Sequence, residues 1–580
     1  MPFQCYFPVF KKGYFMPRII SVRLHLRSLL LPCLFFIVGT ALTIMPYFGW
    51  NFSTIPGEGD TRFNGYILEH GYQWLTGHEK TFWDAPFFYP APSVIGLSDN
   101  HLGNLPFYAV FRGIGMNPDH ALQGWIILQF ILNFFVCTWV LRRLGFSGLA
   151  ATLGSYLFTF GMPLIGQIGH IQLLPRFLVP LTFYLSYRYL RRPSSGTLFV
   201  GFAALCGQFL LSIYLGVLLT LAILIMIAAI VLFRFRRLDW KAIVFPGVKP
   251  VLFRILPMLC LAAIVFDLLL PHFEVWQWFR DFKPLSMSFL IFPQWRSYLL
   301  PCPDVPCWQW LYRLIQIDFC QGEHIMFIGA AAVFAVVMAG VGCCRRTTSF
   351  WLKVCLFSWL ILLLITLNVN GNSIFHILRQ TIPGLTSIRN VTRISLITLF
   401  FAAVALAWTV DFLLHRRQCR TAGRLWLGLL VVILIGENAV WSTSNRYDPK
   451  VANLRVERIK TAILKLPPQS VFIYLPPSPP SYTNMNLDAM WASLETGIPT
   501  INGYSGHNPP GWFMWGFADH DNQQQLTAWI TFSGQFFFMS DPQSPWQRPV
   551  FFIRDLDSPL PSLSKANSLQ SAHPAPADRE

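Results

Sequence analysis

The 580 residues are 54% hydrophobic and only 12% charged, well below the roughly 25% charged expected of a soluble globular chain. That composition excludes an ordinary soluble enzyme and marks a polytopic membrane protein. The formal net charge of +17 excludes little by itself, but the basic residues fall in short clusters beside apolar runs, where they set topology and do not form a nucleic-acid face.

Lys11, Lys12, Arg18, Arg23 and Arg27 precede the apolar run 28–48. The run has span length and no small-residue cleavage site, so it reads as an uncleaved first helix behind a cytoplasmic tail 1–27. A long polar connection, 49–104, follows. Further apolar runs lie at 122–141, 149–168, 171–190, 198–232, 251–270, 325–341, 350–367, 394–414 and 425–441. The run 198–232 is too long for one crossing of about 20 residues, so two helices are expected to reverse near Ser212, Ile213 and Tyr214. The total is eleven spans.

Basic residues occupy alternate connections: Arg142 and Arg143; Arg188, Arg191 and Arg192; Arg234, Arg236, Arg237 and Lys241; Arg345 and Arg346; Arg416, Arg417, Arg420 and Arg424. The positive-inside rule places these in the cytoplasm. The connections 49–104, 271–323 and 368–393 and the tail after Ser442 then lie outside. The expected architecture is an all-α polytopic membrane domain over 28–445, of about eleven transmembrane helices. It carries a small α/β or β-rich extracytoplasmic domain over 446–557. In that domain SVFIYLP, from Ser470, reads as a strand, and the prolines from Pro476 to Pro480 read as a stiff turn. The Ser-, Pro- and Ala-rich segment 558–580 reads as disordered.

The connection 49–104 holds GEGDTRFNGYILEHG, FWDAPFFYPAP and GLSDNHLGNLP. A connection this long usually has a role of its own. Asp60 follows Gly57, Glu58 and Gly59, a run that lets the backbone approach another surface closely. A carboxylate at a water-poor boundary suits proton abstraction. The plain alternative is an acidic turn, or an N-cap before a helix over 63–75. Asp99, Asn100 and His101 could cap a short helix over 105–111, orient Asp60, or bind a divalent cation, Mg or Mn, against phosphate oxygens.

His170 begins the fourth run, and Arg176 would lie about 9 Å deeper in a regular helix. An arginine there is expected either to pair with Asp267 or Glu437 or to bind a lipid phosphate. Glu323 and His324 sit where the second long connection enters the run 325–341. Arg389 and Arg393, four residues apart, would share a helix face and suit phosphate oxygens, with headgroup anchoring as the alternative. Twelve cysteines without a CxxC pair indicate neither a zinc site nor a disulfide scaffold. Cys302, Cys307 and Cys320 share one outer connection and could form one disulfide. Cys343 and Cys344 read as reduced cytoplasmic thiols.

The order GEGDTRFNGYILEHG, FFYPAP, SDNHLGNLP, GHIQLLPRFLVPL, GEHIMFIG, IPGLTSIRNVTR and INGYSGHNPPGW resembles bacterial multi-spanning proteins of the GT-C glycosyltransferase superfamily. The resemblance runs from Met45 to Trp512. It implies a cytoplasmic-membrane enzyme that uses a polyprenyl-phosphate-linked sugar at the outer face, with a glycan, lipid or protein acceptor. It also implies a first-loop acid as base, a role that falls on Asp60. Asp99 and Glu323 are the further catalytic candidates; His101, His170, Arg176, His324, Arg389 and Arg393 are the candidates for substrate and phosphate. GEGD departs from the paired-acid motifs of the superfamily, which leaves the metal open. The other readings are a flippase for a lipid-linked glycan and a non-catalytic envelope-assembly protein. A transporter is expected to show repeated halves with interrupted helices and polar groups at mid-membrane, whereas the acids here gather in the external loops.

Overall fold

A computed structural model of the chain describes residues 22–235, 238, 248–281, 291–344, 348–382, 385–415, 420–441, 443, 445–476, 481–512, 522–541 and 543–554. The segment expected to be disordered, 558–580, lies outside them, as do Arg236, Arg237, Lys241, Arg345, Arg346, Arg416, Arg417 and most of the proline turn.

Helices lie on all of the apolar runs. They are α1 (Val22–Gly39), α4 (Pro118–Arg143), α5 (Gly148–Phe160), α6 (Leu178–Arg191), α7 (Ser195–Leu211), α8 (Ile213–Arg234), α9 (Val248–Asp281), α10 (Ala330–Cys344), α11 (Phe350–Thr366), α12 (Ile394–His415) and α13 (Arg420–Gly436). Two further helices precede α4: α2 (Gly59–Leu75) in the first connection and α3 (Leu105–Gly113) just after it. Among the described residues, 6 helical segments are long and apolar enough to cross a membrane, and Ser195–Leu211, Ala330–Cys344, Phe350–Thr366 and Thr421–Gly436 are shorter apolar helices. The chain is a multi-pass membrane protein.

The run 198–232 divides at Ser212, which is extended at φ −160 and ψ 116 between α7 and α8. The run 171–190 departs from expectation. Regular helix begins only at Leu178, after a 3-10 turn Ile171–Leu173 and Pro175, which has no amide N–H to give. The preceding helix α5 stops at Phe160. Between α5 and α6 a one-turn helix, Met162–Ile165, and the 3-10 turn are set in irregular backbone, and the segment after Ile165 carries His170 and Arg176.

The buried centre is α12, packed against α5, α10, α11 and α13. Gly154 of α5 lets the two backbones approach closely: a Cβ there would lie 2.8 Å from the Ala403 carbonyl of α12 and 3.4 Å from the Ala407 Cβ, the small-residue packing by which apolar helices associate.

The region after α13 is mixed α/β. It comprises α14 (Pro449–Ile463), α15 (Tyr482–Thr496) and α16 (Asn522–Phe537), around β3 (Val471–Tyr474) paired in parallel with β4 (Val550–Ile553). All four residues of β3 are buried, which explains the unbroken apolar run VFIY. A second pair joins the two regions, with β1 (Ile55–Pro56) antiparallel to β2 (Arg446–Tyr447). Phe63, Tyr66, Phe87 and Phe88 of the first connection share one hydrophobic core with Phe472, Met490, Trp512 and Trp529. The first connection is thus packed together with the C-terminal region. Cys302, Cys307 and Cys320 are free thiols, so the disulfide considered from the sequence is not formed.

Candidate active site

Asp60 stands in the first turn of α2, where helix amide dipoles favour a negative charge. Neither Glu58 nor Asp60 caps the helix with its side chain. The close approach expected of the glycine run occurs at Gly57, which has φ +61 and faces the Gly169 Cα, 2.7 Å from where a Cβ would stand. Thr61 Oγ1 donates to the Gly169 carbonyl at 3.0 Å. This contact locks the start of α2 against the irregular segment before α6.

As a result His170 lies between two acids. Its Nδ1 is 2.6 Å from Asp60 Oδ2, and its Nε2 is 3.0 Å from Glu323 Oε1. Glu323 comes from a 3-10 turn, Gln321–His324. Asn390 Nδ2 donates to its other oxygen, Arg393 approaches Oε1 at 3.4 Å, and Thr392 Oγ1 donates to its carbonyl at 2.6 Å. The second oxygen of Asp60, Oδ1, accepts from the Tyr504 hydroxyl at 2.6 Å. The His170, Asp60 and Glu323 side chains remain 28%, 27% and 20% exposed, so a ligand can reach them.

Burial alone would raise the Asp60 pKa, but the His170 charge, with hydrogen bonds from His170 and Tyr504, holds it down at about 2. Glu323 is likewise pulled below the usual range against its burial, by Arg393 and then His170. Burial would lower His170; the two carboxylates outweigh it and raise its pKa from 6.5 to about 9. At neutral pH the site is an imidazolium between two carboxylates.

A folded-state pKa above the unfolded value means that this stabilisation is complete below pH 6.5 and is lost as the pH rises through about 9. The melting temperature of the wild type should therefore fall between those pH values by more than that of His170→Gln. Parallel curves for the two proteins would mean that His170 is not protonated in the folded state.

The remaining candidates lie elsewhere. Asp99 accepts from Ser212 Oγ at 3.0 Å and from the Ile213 amide at 2.8 Å, so it caps α8 and not the helix over 105–111. His101 is buried, its Nε2 on Asn64 Oδ1 at 2.6 Å and its Nδ1 accepting from Asn104 at 3.0 Å. Burial pushes its pKa down to about 3, so it is a neutral ring and not a phosphate-binding cation. It acts at one remove, since Asn64 Nδ2 donates to the Asp60 carbonyl at 2.6 Å. His324 is turned to Ser297 Oγ at 2.7 Å.

Arg176 pairs with neither Asp267 nor Glu437. It is fully buried, donating to the Phe158 carbonyl at 2.8 Å and the Leu396 carbonyl at 3.1 Å and lying over the Phe158 ring. Glu437 accepts instead from the Ala330 and Ala331 amides at 2.6 and 3.2 Å, at the start of α10. Glu437 serves amides that the start of α10 leaves open, and Arg176 serves the Phe158 carbonyl that the end of α5 leaves open together with a carbonyl in the first turn of α12, which removes Arg176 from phosphate binding.

Arg389 and Arg393 do not share a helix face. Asn390 is extended, at φ −109 and ψ 99, and Val391–Arg393 forms a 3-10 turn before α12. Arg393 is committed to Glu323 and stacks on Tyr214 at 4.8 Å. Arg389 is half-buried and has no carboxylate within ion-pair distance among the described residues. Its charge acts on Tyr504 and on His507.

Among the described residues no group of three His, Cys, Asp or Glu side chains is placed to hold a metal ion. Asp60 and Glu323 do not fit a shared cation in this arrangement, because their oxygens face the N–H and O–H groups of His170, Tyr504, Asn390 and Arg393.

Two residues of the cluster, Tyr504 and Asn390, were not singled out in the sequence. Their motifs, INGYSGHNPPGW and IPGLTSIRNVTR, were, and a phenol or an amide in such polar runs was the available signal. Tyr504 is placed by main-chain pairing of FFYP with TING: the Phe88 amide donates to the Asn502 carbonyl at 3.1 Å, the Tyr89 amide to Thr500 at 3.0 Å, and the Thr500 amide to Pro86 at 3.0 Å. Only glycine fits at 503, where a Cβ would be 2.1 Å from the Phe88 ring.

No protein-family model matches the sequence, and no curated protein matches it. Among solved structures, the chain is similar to the archaeal oligosaccharyltransferase AglB from Archaeoglobus fulgidus, in complex with an inhibitory peptide and a dolichol-phosphate. The TM-score is 0.48 at 12% identity, over 83% of this chain and 65% of that one. The chain thus spans just under two thirds of AglB. It is also similar to ArnT from Cupriavidus metallidurans, with a TM-score of 0.39 at 11% identity, over 91% of this chain and 93% of that one. The same ArnT bound to undecaprenyl phosphate gives 0.35 at 12% identity, over 82% and 85%.

Proposed function

We propose that the chain is an inverting membrane glycosyltransferase that moves a sugar from a polyprenyl-phosphate carrier to a hydroxyl of an extracytoplasmic acceptor, with Asp60 as general base. The observation that carries this reading is the reachable Asp60–His170–Glu323 cluster, with Arg389, which has no carboxylate partner among the described residues, acting on Tyr504 beside Asp60.

In the reaction the acceptor oxygen attacks the anomeric carbon, the bond from that carbon to the phosphate oxygen breaks, and the hydroxyl proton passes to Asp60. A single displacement inverts the anomeric centre. Each carboxylate oxygen has a second lone-pair direction, so Asp60 can take the acceptor's hydrogen bond without releasing His170 or Tyr504. A carboxylate held near pH 2 is a weak base at rest. A phosphate drawn to Arg389 and His170 competes for the positive charge that depresses Asp60, so binding of the carrier lipid strengthens the base. The same cations stabilise the phosphate as it leaves.

The direct test is sugar transfer by the purified protein from polyprenyl-phosphate sugars, read as release of the polyprenyl phosphate. No release with any carrier-linked sugar, under conditions in which the lipid binds, would overturn the reading.

Arg389→Lys keeps the charge and loses the fork that matches phosphate oxygens. It should weaken binding of the carrier lipid about tenfold, the scale of one charge-assisted hydrogen bond. Equal affinity for polyprenyl phosphate in wild type and variant would assign Arg389 to headgroup anchoring.

A further inference from the structure

Tyr504 comes from the C-terminal region yet donates to Asp60 of the first connection, 444 positions away, at 2.6 Å. The contact is built from several sides. Main-chain pairing to FFYP fixes the register of the tyrosine, and the Phe63 ring meets its ring edge-on with centroids 5.6 Å apart. Asp60 itself lies on α2 between two residues that hold the C-terminal helices: Glu58, 2.7 Å from Arg455, and Arg62, 2.8 Å from Asp488. One turn of helix therefore carries both the docking contacts and the reactive carboxylate.

We propose that Tyr504 is a positioning residue for the reaction, holding Oδ1 of Asp60 so that the carboxylate presents its remaining lone pairs to the acceptor only while the C-terminal region is docked on the first connection. The proposal rests on the reading of Asp60 as base.

The physical reason is geometric. With His170 on Oδ2 alone, the carboxylate can rotate about χ2, a broad torsion with little intrinsic preference. Hydrogen bonds on both oxygens fix its plane. The phenol also stabilises the charged form of Asp60, so its removal raises the proton affinity of the carboxylate. The titratable and charged groups that bear on Asp60 are His170, Tyr504 and Arg393; Arg389 and Tyr482 bear on Tyr504. Two distinct consequences follow for Tyr504→Phe: slower transfer from a less ordered base, and a higher pH for protonation of Asp60.

The test uses the full-length protein in lipid nanodiscs. Transfer is measured against pH, and protonation of Asp60 is followed without turnover, by the pH dependence of its modification with a hydrophobic carbodiimide, read by mass spectrometry. Tyr504→Phe should lower kcat about tenfold, move the acid limb of the kcat profile to higher pH, leave KM for the carrier lipid unchanged, and move Asp60 modification to higher pH. A fluorinated tyrosine at position 504 keeps the shape and donates more strongly, so it should move modification the opposite way; it also serves if the phenylalanine variant folds poorly. Modification at the same pH in wild type, Tyr504→Phe and the fluorinated protein would overturn the proposal, whatever the transfer rates. A wild type that modifies as expected but transfers no sugar would instead overturn the glycosyltransferase reading and leave the Tyr504–Asp60 coupling intact.

Discussion

Asp60→Asn is expected to slow sugar transfer by roughly 10²-fold to 10⁴-fold, equivalent to about 3–5 kcal/mol of barrier. The amide keeps the size of the carboxylate and can still accept from either His170 or Tyr504, but it takes no proton from the acceptor. Loss should appear in kcat at pH values where His170 stays charged, because the proposed phosphate contacts, Arg389 and His170, are then kept. The substitution also removes one of the two carboxylates that keep His170 charged, so the imidazole pKa should fall and the protein should lose some stability towards neutral pH. Stability and rate are separable by measuring thermal unfolding beside transfer at each pH. Transfer at the wild-type rate would remove Asp60 from the mechanism. Glu323, tied to Arg393 and Asn390, would then be the carboxylate to test.

Asp488→Asn should destabilise the protein by about 3–5 kcal/mol, the loss typical when one partner is removed from a buried ionic network. The Arg62 and Asp488 side chains are only 4% and 2% exposed and lie 2.8 Å apart. Asp488 also takes Arg455 Nε at 2.6 Å. Arg455 keeps a close second partner in the more exposed Glu58 at 2.7 Å, whereas Arg62 keeps only a 3.9 Å contact with it, so the stranded charge is chiefly that of Arg62. Because α2 carries both Arg62 and Asp60, the variant should lose transfer activity as well, and it should expose the C-terminal helices to protease before the apolar helices unfold. The check is chemical denaturation followed separately by proteolysis of the C-terminal region and by tryptophan fluorescence. A variant with unchanged unfolding would show that this pair is solvated and contributes little, as exposed ion pairs do.

Helix positions were legible in the sequence because an apolar run of span length has one stable backbone solution where water is scarce: the helix, which satisfies its amides internally. The same locality made Ser212 readable as a break and VFIY as a strand. The chemistry of the site was legible as residue types. Asp60, His170, Glu323 and Arg393 were candidates because polar and charged groups at the ends of apolar runs call for a partner. Which partner each would take was not legible. Arg389 and Arg393 lost their shared face to a 3-10 turn, Asp99 went to the amide of Ile213, and Arg176 went to the carbonyls of Phe158 and Leu396. In each case main-chain geometry or a main-chain polar group, most often at the end of a regular helix, claimed the side chain or turned it. Tyr504 shows the same limit at long range. Its bond to Asp60 depends on FFYP pairing with TING and on Arg455 and Arg62 meeting Glu58 and Asp488. Contacts between segments hundreds of residues apart are set by packing, because no propensity or spacing within either segment encodes the other's position.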